Sequence, residues 1–155
     1  MVTKIISGGQ TGADQAALDT AINLDIPHGG WIPKGRKTEA GILPDKYKLN
    51  EMPTASYPKR TEQNILDSDG TLIFSHGRLT GGSALTRDLC IKHHRPWLHV
   101  DFKITNNLDA SDSISSWIIE NGINVLNVAG SRAGKDPEIY ALTVTVLKTA
   151  LGIQE

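Results

Sequence analysis

A glycine-rich stretch near the start of the chain, Gly8-Gly9-Gln10-Thr11-Gly12-Ala13-Asp14, joins a short apolar run to a helical pattern. Residues 4–7 before it predict a strand, and apolar residues recur at helical spacing from about residue 14 to residue 23. Small residues at the end of a strand let the backbone pass close to a ligand, and the N–H groups of the next helix face any anionic part of it. The stretch therefore predicts a strand, a binding loop and a helix.

Two further loops of this kind follow later strands. Leu79-Thr80-Gly81-Gly82-Ser83 comes after an unbroken β-rich run at residues 71–75. Ala129-Gly130-Ser131-Arg132-Ala133-Gly134 comes after a second such run at residues 124–128. Because parallel strands end at one edge of a sheet, we expect the three loops to share one binding site.

The rest of the chain alternates in the same way. Strands are predicted at residues 97–100 and, in short form, at 25–28, and helices at 61–66, 84–94, 111–120 and 137–151. Strands that alternate with helices are typical of an α/β fold. We predict a Rossmann-like, doubly wound, mainly parallel sheet of about five strands with helices on both faces.

Length and composition favour one globular domain over residues 1–155. The net charge of −1 argues against a nucleic-acid surface, and the single cysteine, Cys90, excludes an intrachain disulfide. No apolar stretch approaches the length of a membrane span, and Met1-Val2-Thr3-Lys4 leaves no room for a signal sequence before the first glycines. We therefore expect a cytoplasmic protein that binds neither nucleic acid nor membrane.

Positive charge is concentrated at residues 29–60, which we call the flap. This segment carries seven cations and three acids, a local +4. It is rich in Gly and Pro, but apolar residues are spaced through it, which favours an ordered flap over a flexible linker. Lys34, Arg36 and Arg60 are its candidate ligand-binding cations, and a solvated basic face is the alternative.

The loops lack the signatures of several well-known sites. Gly12 is followed by Ala13 and Asp14, where a P-loop needs Lys and then Ser or Thr, and the glycines are not spaced as in the dinucleotide fingerprint. No G-x-S-x-G elbow marks a nucleophile. His93 and His94 are adjacent, so on a helix they do not share a ligand face. We expect no protein-ligated metal and no covalent catalysis.

The best candidate anion site is the loop at residues 80–83 with Thr86 one turn further on, since two glycines free the backbone there. In the first loop, Asp14 either caps the helix or accepts a hydrogen bond from a ligand hydroxyl or amine. The candidate ligand-binding residues are Gly8, Gly9, Gln10, Thr11, Gly12, Asp14, Lys34, Arg36, Arg60, Thr80, Gly81, Gly82, Ser83, Thr86, Gly130 and Ser131.

Four stretches together carry a resemblance to a known family. They are the Gly8–Asp14 stretch, His28-Gly29-Gly30-Trp31-Ile32-Pro33-Lys34-Gly35-Arg36, Arg60-Thr61-Glu62-Gln63-Asn64 and Leu79-Thr80-Gly81-Gly82-Ser83-Ala84-Leu85-Thr86. Across nearly its whole length the chain resembles the molybdenum carrier family, regarded as a circularly permuted branch of the SLOG superfamily. That superfamily contains the lysine-decarboxylase-like nucleotide phosphoribohydrolases. The family name implies binding of the molybdenum cofactor, a phosphate-bearing pterin, whereas the superfamily implies a nucleotide-like ligand.

The resemblance bears on catalysis as well. The phosphoribohydrolases carry P-G-G-x-G-T-x-x-E in their glycine loop, and laid onto residues 80–88 this chain keeps Gly81 and Gly82 but replaces the glutamate by Asp88. A shortened carboxylate with changed neighbours puts N-glycosidic cleavage in doubt without excluding it. The candidate catalytic acids are Asp88, Glu39 and Glu62.

The leading hypothesis is a non-catalytic molybdenum cofactor carrier, or a binding protein for another phosphate-bearing heterocycle, with molybdoenzymes as recipients. The alternatives are a hydrolase of nucleoside monophosphates and a nucleotide-sensing module. We also expect a homo-oligomer, either a dimer or a tetramer, with Trp117, Ile118 and Ile119 either in an apolar contact or in the core.

Overall fold

A computed structural model describes residues 1–152, and a five-stranded parallel sheet forms the centre of the molecule. The predicted α/β fold is confirmed. In chain order the elements are β1 (Lys4–Ser7), α1 (Ala13–Asn23), β2 (His28–Gly29), β3 (Trp31–Ile32), β4 (Lys37–Thr38), β5 (Gly41–Ile42), β6 (Asn50–Glu51), α2 (Tyr57–Leu66), β7 (Gly70–Ser75), α3 (Gly81–Lys92), β8 (Trp97–Asp101), α4 (Asn107–Asn121), β9 (Val125–Gly130) and α5 (Ile139–Gly152).

The strand order in this sheet is β2-β1-β9-β7-β8, and every pairing is parallel. From β1 the chain passes through α1 to β2 on one side of the sheet, and from β7 it passes through α3 to β8 on the other side. A crevice opens in an α/β sheet where the strand order reverses in this way. The reversal places β9 at the centre, between the two strands that carry the other glycine-rich loops.

The sheet is covered on both faces. Helices α1, α4 and α5 pack together over one face, and α2 packs beside α3 over the other. Trp117 and Ile118 of α4 belong to the buried core, whereas Ile119 is 80% exposed. No helix within residues 1–152 is long and apolar enough to cross a membrane.

Three helices begin earlier than the sequence predicts. Helix α2 begins at Tyr57 because the Ser56 side chain accepts from the Lys59 N–H at 3.3 Å, and α4 begins at Asn107 because Asn106 accepts from the Asp109 N–H at 2.8 Å. Helix α3 begins at Gly81, so the predicted loop residues 81–83 form its first turn. Capping side chains and glycines, which are poor helix formers, hide these starts from apolar periodicity.

The flap contains two small sheets. Strands β3 and β6 are parallel, and β4 and β5 form an antiparallel hairpin. Its apolar residues pack against Leu18 of α1, which fixes the flap on the body of the protein. The buried members of this cluster are Leu18, Ile32, Leu43, Tyr47 and Leu49.

Candidate functional site

A cavity of about 320 Å³ lies at the carboxyl ends of β1, β9 and β7. All three glycine-rich loops contribute to its wall, and α2 closes one side. It is lined by Gly8, Gln10, Asp14, Arg60, Thr61, Asn64, Thr80, Gly81, Gly82, Ser83, Thr86, Asn127, Val128, Ala129, Gly130, Ser131, Arg132 and Lys135.

The amino terminus of α3 presents backbone donors to this cavity. The side chain of the N-cap residue, Thr80, forms no capping bond, and its hydroxyl accepts a hydrogen bond from the Lys135 ammonium. Within residues 1–152, the N–H groups of Gly81 and Gly82 and the hydroxyl of Ser83 have no hydrogen-bond partner. A Cβ on Gly82 would face open space. Unpaired N–H groups, the positive end of the helix dipole and an ammonium together give this part of the cavity a positive potential that suits an anion.

Asp14 provides a carboxyl group on the opposite wall. The side chain is 8% exposed, and its Oδ2 accepts from the Gln10 N–H at 3.2 Å, so it does not cap α1. Burial raises the pKa of Asp14 to about 6, and the positive charge of Arg60 and the Gln10 hydrogen bond oppose this rise. The cavity therefore holds a carboxylate that is mostly ionised at neutral pH.

Arg60 crosses the end of β1. Its Nη1 donates to the Gly8 carbonyl at 2.6 Å, and the guanidinium lies 5.5 Å from the centre of the Tyr57 ring. Burial lowers the pKa of this guanidinium. A Cβ on Gly8 would overlap the guanidinium in its present position, so a larger residue there would require the Arg60 side chain to shift.

Two asparagines lie in the deeper part of the cavity. Asn64 accepts from the Trp31 N–H at 2.8 Å and donates to the Trp31 carbonyl at 3.1 Å, so its amide holds the flap to α2. Asn127, in the middle of β9, donates Nδ2 to Thr71 Oγ1 at 3.1 Å. Neither residue is among the ligand-binding residues predicted from the sequence, although Asn64 ends one of the four stretches that carry the family resemblance. The available signal for Asn127 was an amide inside an otherwise apolar strand.

The sequence model of the circularly permutated YpsA SLOG family matches residues 5–151. This chain belongs to that SLOG family. It is also 58% identical to a protein of Syntrophus aciditrophicus SB whose crystal structure is named "Putative molybdenum carrier protein". The match covers 97% of this chain and 95% of that chain, with a TM-score of 0.95. No curated protein matches. The resemblance read from the sequence is thus confirmed.

In this SLOG protein Glu39, at the tip of the β4–β5 hairpin, ties three loops together, and we call this contact the Glu39 latch. The carboxylate accepts from the Thr11 hydroxyl, from the Arg132 guanidinium at 2.8 Å and from the Gly134 N–H at 2.7 Å. These bonds, Thr11 foremost, lower the pKa of Glu39 to about 2. Glu39 is not a cavity-lining residue. Its bonds hold the hairpin against the loops that form the cavity.

The other candidate acids of the SLOG protein also lie outside the cavity lining. Asp88 is exposed and pairs with Arg87 at 3.0 Å. Glu62 pairs with His93 at 2.8 Å, and this hydrogen bond is the main cause of a lowered pKa for Glu62. Each of these carboxylates is occupied by a cationic or titratable neighbour.

Several predicted ligand-binding residues hold the loops in place. Gly9 faces the apolar cluster of the flap, and a Cβ on Gly12 would overlap the Ser131 carbonyl. Thr11 accepts from the Ala133 N–H at 3.1 Å, which joins the first and third loops. The structure thus brings Gly8, Gln10, Asp14, Arg60, Thr80, Gly81, Gly82, Ser83, Thr86, Gly130 and Ser131 to the cavity, and places Gly9, Thr11, Gly12, Lys34 and Arg36 outside its lining.

Arg36 has a role within the flap. Its guanidinium donates to four backbone carbonyls at 3.0–3.3 Å, those of Leu43, Pro44, Tyr47 and Leu49. Two cations that line the cavity come instead from the loop after β9. They are Arg132, which stands within the third glycine-rich loop, and Lys135, which follows that loop and carried no sequence signal.

Proposed function

We propose that this protein binds a small phosphate-bearing heterocycle in the cavity at the ends of β1, β9 and β7. The observation that carries this proposal is the pair of N–H groups at Gly81 and Gly82, which have no partner in the described part of the chain and lie beside the Lys135 ammonium. A phosphate bound there would accept from both amides and from the Ser83 hydroxyl. Arg132 adds a second positive charge to the same wall.

The molybdenum cofactor is the first candidate ligand, because the similar protein from Syntrophus aciditrophicus SB carries the molybdenum carrier name. A nucleotide is the alternative, in keeping with the superfamily. Within residues 1–152, no group of three His, Cys, Asp or Glu side chains is placed to hold a metal ion. Molybdenum would therefore enter as part of the pterin, held through its phosphate and ring.

The size of the cavity also constrains the ligand. Its volume of about 320 Å³ is at the lower end of the range for small-molecule sites, which is roughly 300–1,000 Å³. One heterocycle with one phosphate fits this range, whereas a dinucleotide would extend beyond the cavity. The proposed ligand is thus a mononucleotide or a pterin phosphate.

The positions of the candidate catalytic acids support a protein that binds its ligand without catalysis. Asp88, Glu39 and Glu62 lie outside the cavity lining and are already paired. One observation favours a hydrolase instead, since Asp14 lines the cavity with a pKa raised to about 6, within the range useful to a general acid or base. Release of free base from a nucleoside monophosphate would assign that second function.

The proposal also covers the location of the protein, the recipients of its ligand and its oligomeric state. We place the protein in the cytoplasm as one domain over residues 1–155, with molybdoenzymes as recipients of the cofactor. The proposal also includes a homo-oligomer, either a dimer or a tetramer, with the exposed Ile119 of α4 as a contact residue to test.

Native mass spectrometry with metal analysis tests the proposed function. Gently purified protein is examined first, and then a panel of pterins and nucleotides is added. A retained pterin with molybdenum supports the carrier role, and a bound nucleotide supports the alternative. Gly82→Asp should abolish phosphate binding because its carboxylate repels the anion, while Gly82→Ala should retain it, since a Cβ there meets no atom within 4 Å. Unchanged phosphate affinity in Gly82→Asp would reject the site.

A further inference from the structure

Two oxygen atoms of mostly buried side chains in the cavity wall have no donor within residues 1–152. Asp14 uses Oδ2 to accept from the Gln10 N–H, but its Oδ1 has no hydrogen-bond partner in that part of the chain. Asn127 donates Nδ2 to Thr71, and its Oδ1 likewise has no partner there. Both side chains line the cavity, and they are only 8% and 3% exposed. Among residues 1–152, the side-chain atom that is fully buried without a partner is Thr143 Oγ1, so the Asp14 and Asn127 oxygens are accessible from the cavity. A ligand or water in the cavity is therefore expected to donate to them.

The orientation of Asn127 is set by its neighbours. The Asn127 Nδ2 donates to Oγ1 of Thr71 on the neighbouring strand β7 at 3.1 Å. This contact holds Nδ2 against β7 and leaves Oδ1 as the free atom. Asn127 stands three positions before the end of β9 at Gly130, so it lies deeper than the amino terminus of α3.

The Asp14 side chain acts as a hydrogen-bond acceptor at neutral pH because its carboxyl group is then mostly ionised. Although burial raises the pKa of Asp14 to about 6, the carboxylate is the major form above that pH. The facing cation from α2 is Arg60, which donates to the Gly8 carbonyl and makes no ion pair with Asp14 within 4 Å. The charged groups on the third wall, Arg132 and Lys135, are bonded to Glu39 and Thr80. Asp14 Oδ1 is therefore left for a donor from the ligand.

We propose that the cavity selects ligands whose organic part presents hydrogen-bond donors to Asp14 and Asn127. The donors would be N–H groups of an amino-substituted ring or O–H groups of a sugar. This inference rests on the proposed function, because a phosphate held at α3 determines which part of the ligand reaches the deeper oxygens. A ring that presents only acceptors would face two buried acceptors and would lose affinity.

Matched ligands test this selection. Adenosine 5′-monophosphate is compared with purine riboside 5′-monophosphate, which lacks the amino group, and with 2′-deoxyadenosine 5′-monophosphate, which lacks a sugar hydroxyl. Pterin and lumazine, which differ at the 2-amino position, form a second pair. Loss of a donor to a charged acceptor should weaken binding by about tenfold or more. Inorganic phosphate serves as a probe that does not reach the deeper oxygens.

Two variants assign the effect to these residues. In Asp14→Asn, the amide oxygen can still accept from the Gln10 N–H, so the NH₂ group takes the position of the free oxygen. The preference of the protein for ligands that carry donors should then fall about tenfold or reverse. Asn127→Leu removes the second acceptor and should reduce the same preference. Asp25→Asn is the matched control, since Asp25 follows α1, is exposed and has a φ of 55° that Asn accepts. Asp25→Asn should change neither this preference nor the affinity for phosphate.

The outcomes separate this inference from the proposed function. The inference is supported if the wild type binds the amino or the hydroxyl compound more tightly and Asp14→Asn loses this preference. The preferred compound then shows whether the donor lies on the ring or on the sugar. Equal affinities for donor-bearing and donor-lacking compounds overturn it while the phosphate site stands. Failure to bind inorganic phosphate at all would reject the proposed function and this inference together.

Discussion

The Lys135 ammonium donates a hydrogen bond to the Thr80 hydroxyl, and this contact joins the loop after β9 to the amino terminus of α3. A Thr at the N-cap ordinarily accepts from an N–H of its own helix. Here the bond with Lys135 takes its place, and the first N–H groups of α3 are left to the cavity. The same contact holds the ammonium beside the proposed phosphate site.

Lys135→Met is therefore expected to weaken phosphate binding by about tenfold, because one charge-assisted hydrogen bond to the anion is lost. The salt dependence of binding should also become shallower. Calorimetric titration with a phosphate ester at low and high salt measures both effects. Lys148→Met, on the exposed side of α5, is the matched control and should bind as the wild type does. Equal affinities for the two variants would remove Lys135 from the site.

Asp14→Asn is expected to stabilise the protein at alkaline pH. The folded state raises the pKa of Asp14 from 3.8 to about 6, so ionisation of this carboxyl disfavours folding above pH 6 and has no such effect below pH 3.8. The gain in free energy of unfolding should reach about 3 kcal/mol at pH 8 and disappear near pH 4. Urea denaturation at several pH values, with Asp25→Asn as the control, checks this. A gain that does not change with pH would contradict the burial of the charge.

Glu39→Gln should loosen the Glu39 latch. The neutral amide keeps the shape of the side chain but weakens its bonds to Arg132 and Gly134, so exchange of the Gly134 amide proton should become roughly tenfold faster at neutral pH. The pKa of Glu39 is lowered to about 2, so the latch contributes above its ordinary pKa of 4.5 and is lost as the pH falls toward 2. Hydrogen exchange followed by NMR measures the effect, with the exposed Glu120→Gln as control. If the Gly134 amide proton exchanged at the same rate in Glu39→Gln and Glu120→Gln, the Glu39 latch would not hold this loop in place.

Arg36→Lys should destabilise the flap although it keeps the charge. A single ammonium cannot reproduce the planar fork that donates to several carbonyls at once, so the loss is expected to be about 2 kcal/mol. Thermal unfolding measures the loss of stability, and hydrogen exchange of the Leu43 amide measures the loosening of the flap. This amide donates to the Arg36 carbonyl at 2.8 Å. Lys34→Ala, an exposed substitution in the same segment, should have little effect. Similar losses in the two variants would show that the guanidinium contacts contribute little.

Much of the fold could be predicted from local sequence. The three glycine-rich loops and the apolar runs before them identified the strands β1, β7 and β9, because a parallel sheet needs buried runs followed by tight turns. The early starts of α2 and α4 were missed because they depend on the side chains of Ser56 and Asn106, which act through single hydrogen bonds.

Most site residues that could be predicted stand in or next to the glycine-rich stretches, and the positive charge of the flap added Arg60. Gly81, Gly82 and Ser83 act through their own backbone and their place at a helix start, so spacing alone marks them. Asn127 reads as part of a core strand, and its exposure to the cavity depends on how α2 and α3 lie over β9. From the sequence, Arg36 was predicted to be a ligand-binding cation. Its bonds to the flap carbonyls could not be predicted, because they depend on how the flap backbone folds around the guanidinium.

The position of β9 has a consequence for synthesis. It pairs with β1 and β7 in the middle of the sheet, yet it is made after every other strand of the described chain. Until the ribosome has released β9, the two halves of the sheet are unjoined and expose the backbone edges of β1 and β7. A chain in which β9 has not yet joined the sheet has no complete cavity, so the proposed ligand could bind only after β9 has paired with β1 and β7.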